Sequence, residues 1–124
     1  MAGKLSITAG NVQATATLND SSTATAIWNA LPIEAGGNTW GDEIYFSIPV
    51  HVAEDNARAV VELGAIAYWP PGNAFCIFFG PTPASLGSEC RAASPVNVVG
   101  AIDGDARAFK QVRSGARVTL RKAD

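Results

Sequence analysis

The groups able to do acid–base or nucleophilic work are few, and their spacing does not bring them together. His51 is the only histidine, so any Ser-His-Asp arrangement has to run through it. It follows Pro49 on the polar side of an alternating stretch, where it reads as a solvent-facing side chain. Asp42 and Glu43 are adjacent. Neighbours on a strand point to opposite faces, so the two cannot face each other across a glycosidic bond. Gly36-Gly37 lacks the phosphate-loop pattern. Cys76 lies inside an apolar run and behaves as a small hydrophobe; Cys90 sits in a polar loop. Without a CxxC or Cys/His cluster, no zinc site is expected, and no cofactor. What remains is suited to binding: Glu43, Tyr45 and Ser47 on the polar face of one strand, Trp69 beside a Pro-Pro turn, and Phe75 on a central strand, with Phe78 in its place if the other face is outward.

The elements that must position these groups centre on Gly64–Gly80, GAIAYWPPGNAFCIFFG. Its two apolar runs, Ala65–Trp69 and Ala74–Phe79, are too short for helices, and the second does not alternate. Such runs bounded by Pro and Gly read as strands buried on both faces. Pro70-Pro71-Gly72-Asn73 forces the turn between them, since proline fixes φ and glycine accepts φ > 0.

Around this pair the chain alternates repeatedly. Lys4–Thr8 and Val12–Leu18, joined by Ala9-Gly10-Asn11, predict an opening hairpin. Asp20-Ser21-Ser22 offers cap oxygens for a helix whose apolar stripe is Ala24, Ile27, Trp28 and Leu31, stopped by Pro32. Glu34–Thr39 reads as a loop. Trp40–Val52 is a strand whose inner face is Ile44, Phe46, Ile48, Val50 and Val52, with Pro49 marking an edge or bulge. Ala59–Leu63 is one further short strand or an extended lead-in. Pro81–Ala93 is a thirteen-residue loop. Val96–Ile102 is a strand, a short helix runs from Asp103 or Asp105 to Val112, and Ala116–Lys122 alternates once more. About eight strands and two short helices predict a closed or nearly closed antiparallel barrel covered by the helices.

Composition narrows the function classes. At 124 residues the chain reads as one domain, 1–124. Charged residues are 16% and apolar residues 48%, against a charged share of about a quarter in typical domains, so a compact core is expected. A net charge of −2 argues against a nucleic-acid partner. The late cations Arg107, Lys110, Arg113, Arg117, Arg121 and Lys122 read as a solvated face. There is no apolar leader and no run of 18 apolar residues, so a cytoplasmic protein with no membrane partner is expected.

Three runs carry a resemblance: Asn38-Thr39-Trp40-Gly41-Asp42-Glu43-Ile44-Tyr45-Phe46; Tyr68-Trp69-Pro70-Pro71-Gly72 with Phe78-Phe79-Gly80-Pro81-Thr82-Pro83; and Ala93-Ser94-Pro95-Val96-Asn97-Val98-Val99-Gly100. Together they resemble the small prokaryotic cyclophilin-like family, over nearly the whole chain. The resemblance implies a mainly β fold, a closed eight-stranded antiparallel cyclophilin-like barrel capped by two short helices. It also implies a groove whose far wall holds Ser94 and Asn97, completing the candidate ligand-binding set Glu43, Tyr45, Trp69, Phe75, Ser94 and Asn97.

Prolyl isomerisation must lower a barrier of about 20 kcal/mol, and true cyclophilins do so with an arginine that donates to the prolyl nitrogen. The matching strand here carries Ile44, Tyr45, Phe46 and Ser47, and no arginine precedes Arg58. No catalytic residue is therefore assigned. The leading expectation is a non-catalytic module that binds a peptide or small molecule in the groove. The alternatives are a divergent, weak peptidyl-prolyl cis-trans isomerase using Arg58 or Arg91, and a partner-docking domain. The last predicts an exposed apolar edge at Ile48–Val52 and pairing with another chain, homodimerisation included.

Overall fold

The computed structural model describes residues 3–123. Period-2 alternation in the first eighteen residues produces the expected hairpin, β1 (Lys4–Ala9) and β2 (Val12–Leu18), in register from Lys4↔Thr17 to Ala9↔Val12. Helix α1 (Ser22–Ala30) is capped by Ser21, whose Oγ accepts from the Ala24 N–H at 3.2 Å. Ala24 and Ile27 are buried, while Trp28 is only half-buried, with Lys122 Nζ 5.0 Å from its ring centroid.

The remaining strands are β3 (Ile33–Gly36), β4 (Asn38–Thr39), β5 (Glu43–Ser47), β6 (Arg58–Val61), β7 (Ala65–Trp69), β8 (Ala74–Phe78), β9 (Cys90–Ile102) and β10 (Arg117–Lys122). The central pair is as expected: β7 and β8 are antiparallel neighbours from Ile66↔Ile77 to Trp69↔Ala74, joined by a 3-10 turn over Pro70–Gly72. All five residues of β8 are buried, which is why its sequence lacks alternation.

Several boundaries differ from the sequence reading. Glu34–Thr39 is not a loop: it supplies β3 and β4, because even a glycine-rich segment finds ladder partners, β3 on β10 and β4 on β5. The strand expected over Trp40–Val52 ends at Ser47, since Pro49 cannot donate to a ladder. Ile48 and Val50 are nonetheless buried in the core, so Ile48–Val52 is not the exposed apolar edge that a docking domain needed. The 81–93 loop is shorter than expected, because β9 begins at Cys90, which is buried rather than in a polar loop. The second helix is a 3-10 segment, Ala106–Gln111.

The protein is mainly β, and its described residues form one large antiparallel sheet of ten strands rather than eight. The strand order is β3-β10-β1-β2-β9-β7-β8-β5-β4, with β6 paired to β9. Hydrogen bonds do not close the ring between β3 and β4. Those two end strands are instead consecutive in the chain, joined through Gly37. Its N–H donates to the Ala116 carbonyl at 2.8 Å, and its carbonyl accepts from the Gly115 N–H at 2.7 Å. A Cβ at Gly37 would lie 2.9 Å from Val118 Cγ2, so only glycine fits this seam.

The sheet separates two apolar clusters. The larger holds Leu5, Ile7, Ile44, Phe46, Ile66, Tyr68, Phe75, Ile77 and Leu120 on the inner face. The smaller, on the outer face of the strands around β8, holds Val61, Ala65, Ala67, Cys76, Phe78, Cys90, Ala92 and Val96. No helix among the described residues is long and apolar enough to cross a membrane.

Candidate functional site

The outer face of β5, β8, β7 and β9 carries the site. Its centre is made of short side chains. Ala74 and Cys76 on β8 face Trp69 and Ala67 on β7, and Tyr45 on β5 lies opposite Cys76. Small residues keep the sheet surface low here, while aromatic side chains rise beside them. The result is a cleft of about 270 Å³ lined by Trp40, Glu43, Tyr45, Trp69, Ala92, Ala93 and Val96.

Each wall has a local cause. Trp40 sits on the turn between β4 and β5, where its N–H donates to the Glu43 carbonyl at 2.9 Å. Gly41 in this turn has φ +60°, and a Cβ on it would lie 2.8 Å from Thr82 Cα. The turn is thereby packed against the Pro81–Pro83 segment, with the Asp42 N–H donating to the Pro81 carbonyl at 2.9 Å. Glu43 and Tyr45 are two apart on β5 and share its outer face. Trp69 is fixed at its indole nitrogen, which donates to Ser94 Oγ at 2.7 Å. Its ring lies against Gly72, where a Cβ would come within 2.8 Å of it.

The electrostatics centre on Glu43. It is 6% exposed, and burial pushes its carboxyl up to about 7, offset in part by a hydrogen bond from the Cys76 thiol. Cys76 is itself raised well above the ordinary thiol range by burial and then by the neighbouring negative charge; it stays protonated. No lysine or arginine nitrogen lies within 4 Å of the Glu43 carboxylate among the described residues. Near neutrality this acid can give or take a proton, donate a hydrogen bond when neutral, or act as a counter-ion when charged.

The predicted set divides. Glu43, Tyr45 and Trp69 line the cleft, and Ser94 holds Trp69 in place. Phe75 does not belong: it is fully buried on the inner face, its ring centroid 5.5 Å from that of Phe46. Phe78 is the phenylalanine of that strand on the outer side. Asn97 is also not free to meet a ligand. It is 2% exposed; its Oδ1 accepts from the Asp55 N–H at 2.9 Å, and its Nδ2 donates to the Ala53 carbonyl at 2.9 Å and to Thr23 Oγ1 at 3.2 Å. It ties the 53–55 segment to β9 and α1.

Trp40, Ala92, Ala93 and Val96 are lining residues that the sequence reading left out. Trp40 could have been found from the Trp-Gly-Asp turn, which places an aromatic one turn away from Tyr45. His51 is exposed and outside the cleft. Neither Arg58 nor Arg91 lines it; Arg91 Nε is 3.1 Å from Glu89 Oε2. No group of three or more His, Cys, Asp or Glu side chains among the described residues is placed to hold a metal.

Comparison with known proteins adds two findings. A family model described as Cyclophilin-like matches residues 3–121. The chain is similar to the hypothetical protein AF2241 from Archaeoglobus fulgidus, known from a solution structure. The two are 41% identical over 98% of this chain and 95% of that one, with a TM-score of 0.84. No curated protein matches.

Proposed function

The chain belongs to the cyclophilin-like family, and from that premise we propose that its outer-face cleft is a non-catalytic binding site for a small molecule or a single peptide side chain. The observation that carries this reading is the lining itself: three aromatic side chains and one buried carboxyl around a low apolar floor. Concave apolar surface with a few convergent polar groups is the usual character of ligand sites. At about 270 Å³ the cleft is just below the roughly 300–1,000 Å³ range of such sites. It suits one side chain or a compact metabolite better than a long peptide.

Isomerisation fits this lining less well. Twisting the prolyl amide needs a donor aimed at the nitrogen as conjugation is lost, and no arginine or lysine lines the cleft. A proline-isomerisation assay run beside amide and indole chemical-shift mapping tests the reading. Short Xaa-Pro peptides and small amines or acids should give no catalysis and should move Trp40, Tyr45 and Trp69 while leaving Phe75 and Asn97 unchanged. Catalysis abolished by replacing Arg58 or Arg91 would install the isomerase instead.

A further inference from the structure

Resting on the cleft being a binding site, the chemistry of its walls selects a class of ligand. The buried polar side chains of the described residues are Thr23, Glu43, Thr82 and Asn97. Three of them have strong protein partners. Thr23 and Asn97 bond each other, Asn97 takes two more backbone partners, and Thr82 Oγ1 donates to the Arg91 carbonyl and accepts from the Ala84 N–H at 3.2 Å. Glu43, the one ionisable member, has no cation within 4 Å among the described residues and only the weakly polar Cys76 thiol nearby.

Five other acids of the described residues are matched to cations, and Asp20, Glu54, Asp55 and Glu62 are exposed to water. Asp42 meets Lys110 at 3.3 Å, Asp103 meets Lys4 at 2.9 Å, Glu34 meets Arg117 at 3.0 Å, Asp105 meets Arg107 at 3.0 Å and Glu89 meets Arg91 at 3.1 Å. A carboxylate removed from water without a counter-ion is costly, and the one case here opens into a cleft walled by Trp40, Tyr45 and Trp69. The faces of such rings attract cations, tryptophan most strongly, and clusters of them receive alkylated ammonium groups.

We propose that the cleft takes the ammonium or alkylammonium head of an organic cation, with Glu43 as its counter-ion and Trp40, Tyr45 and Trp69 as its aromatic walls. Trp69 is the fixed wall, held by Ser94 and Gly72. A neutral ligand leaves the ionised Glu43 without a counter-ion, and an anion is repelled by that form. The same head group occurs on free amines such as choline and on the side chain of a methylated lysine, and the cleft volume admits either. Binding is coupled to protonation, because a bound cation favours the ionised Glu43. The titratable side chains beside it are Cys76 from β8, raised by burial, together with Tyr45 on its own strand and Asp42, paired to Lys110, at the turn; Cys90 of β9, also raised by burial, lies nearer Asp42 and Glu89. Choline carries a fixed charge, so a change of its affinity between pH 6 and pH 8 comes from the protein, and its loss in Glu43→Gln assigns it to Glu43.

The test uses the full chain with choline and with 3,3-dimethyl-1-butanol, its uncharged carbon isostere, followed by the indole N–H signals of Trp40 and Trp69. Choline is expected to bind at least about tenfold tighter than the isostere at pH 8 and to weaken as pH falls to 6. Glu43→Gln is expected to erase both the preference and the pH dependence while leaving the isostere's weak affinity as it was. The choline-to-isostere ratio on the unaltered chain stands by itself should that variant not fold. A trimethyl-lysine peptide binding tighter than choline identifies a protein side chain as the source, and the reverse identifies a free metabolite. Equal binding of choline and isostere would overturn the cation assignment and leave the cleft as a binding site. No response to either compound or to the peptide would overturn both.

Discussion

The two faces of β5, β7 and β8 are built from alternate residues of the same few strands, yet they differ in what they enclose. The inner face is filled by large side chains, Ile44, Phe46, Ile66, Tyr68, Phe75 and Ile77, each at most 1% exposed. Its one polar group, the Tyr68 hydroxyl, donates to the Val50 carbonyl at 2.6 Å and accepts from the Val52 N–H at 3.3 Å. The outer face has Ala65, Ala67, Ala74 and Cys76 at its centre, leaves a cleft, and keeps a buried acid there with no cation within 4 Å among the described residues. Stability resides in the face that is full. The cleft proposed to bind lies on the face that short side chains leave open.

The contrast can be broken most severely from the inside. Phe75→Ala should cost about 3–5 kcal/mol, the usual loss for truncating a buried phenylalanine, read as a fall in the denaturant midpoint. Ligand affinity measured on the remaining folded protein should hardly move. If the variant binds as poorly as it folds, the two faces are not independent.

The next effect comes from Glu43. Its carboxyl titrates at about 7 in the folded protein against an ordinary 4.5, so between these values the folded state holds a proton that the unfolded state has lost. Stability therefore falls as pH rises from about 4.5 to 7 and is level above that, a change on the order of 3 kcal/mol. Glu43→Gln should match the parent near pH 4 and exceed it at pH 8 by chemical denaturation. A parent as stable at pH 8 as at pH 4, with the variant showing no gain, would mean that Glu43 has a counter-ion after all.

A smaller effect sharpens the picture of the outer face. Trp69→Phe removes the bond to Ser94 but keeps an aromatic wall, and should cost about 1 kcal/mol. Binding should weaken more than stability does, as judged by comparing the denaturant midpoint with a ligand titration. A larger loss of stability than of binding would make Trp69 a structural residue only.

Much of the fold was legible because alternation and turn chemistry are local. The β1–β2 hairpin, α1 with its Ser21 cap and Pro32 stop, and the β7–β8 pair all follow from a few neighbouring residues. The lining of the candidate cleft was legible in part. Glu43, Tyr45 and Trp69 follow from strand parity and from the Pro-Pro turn. Phe75 was misplaced because Ala74–Phe78 is apolar at every position, so parity says that Phe75 and Phe78 oppose each other without saying which is inside. Total volume decides that, and the inner space is the larger. Asn97 was misplaced because its partners, Thr23, Ala53 and Asp55, are distant in the chain, and nothing local reveals that a polar residue in an apolar strand is already occupied. β3 and β4 were missed for the same reason: Gly36-Gly37-Asn38 reads as a loop until β10 and β5 are alongside.

The seam at Gly37 also bears on how this sheet meets other copies of itself. Open edges of a sheet are templates for aggregation, and long ones are the dangerous ones. Here the terminal strands are only four residues (Ile33–Gly36) and two residues (Asn38–Thr39) long, and a single glycine tethers them to each other. A foreign strand arriving at either edge would find few free donors and acceptors to pair with. Gly37 thus leaves little free ladder at these two ends without requiring the ring to close.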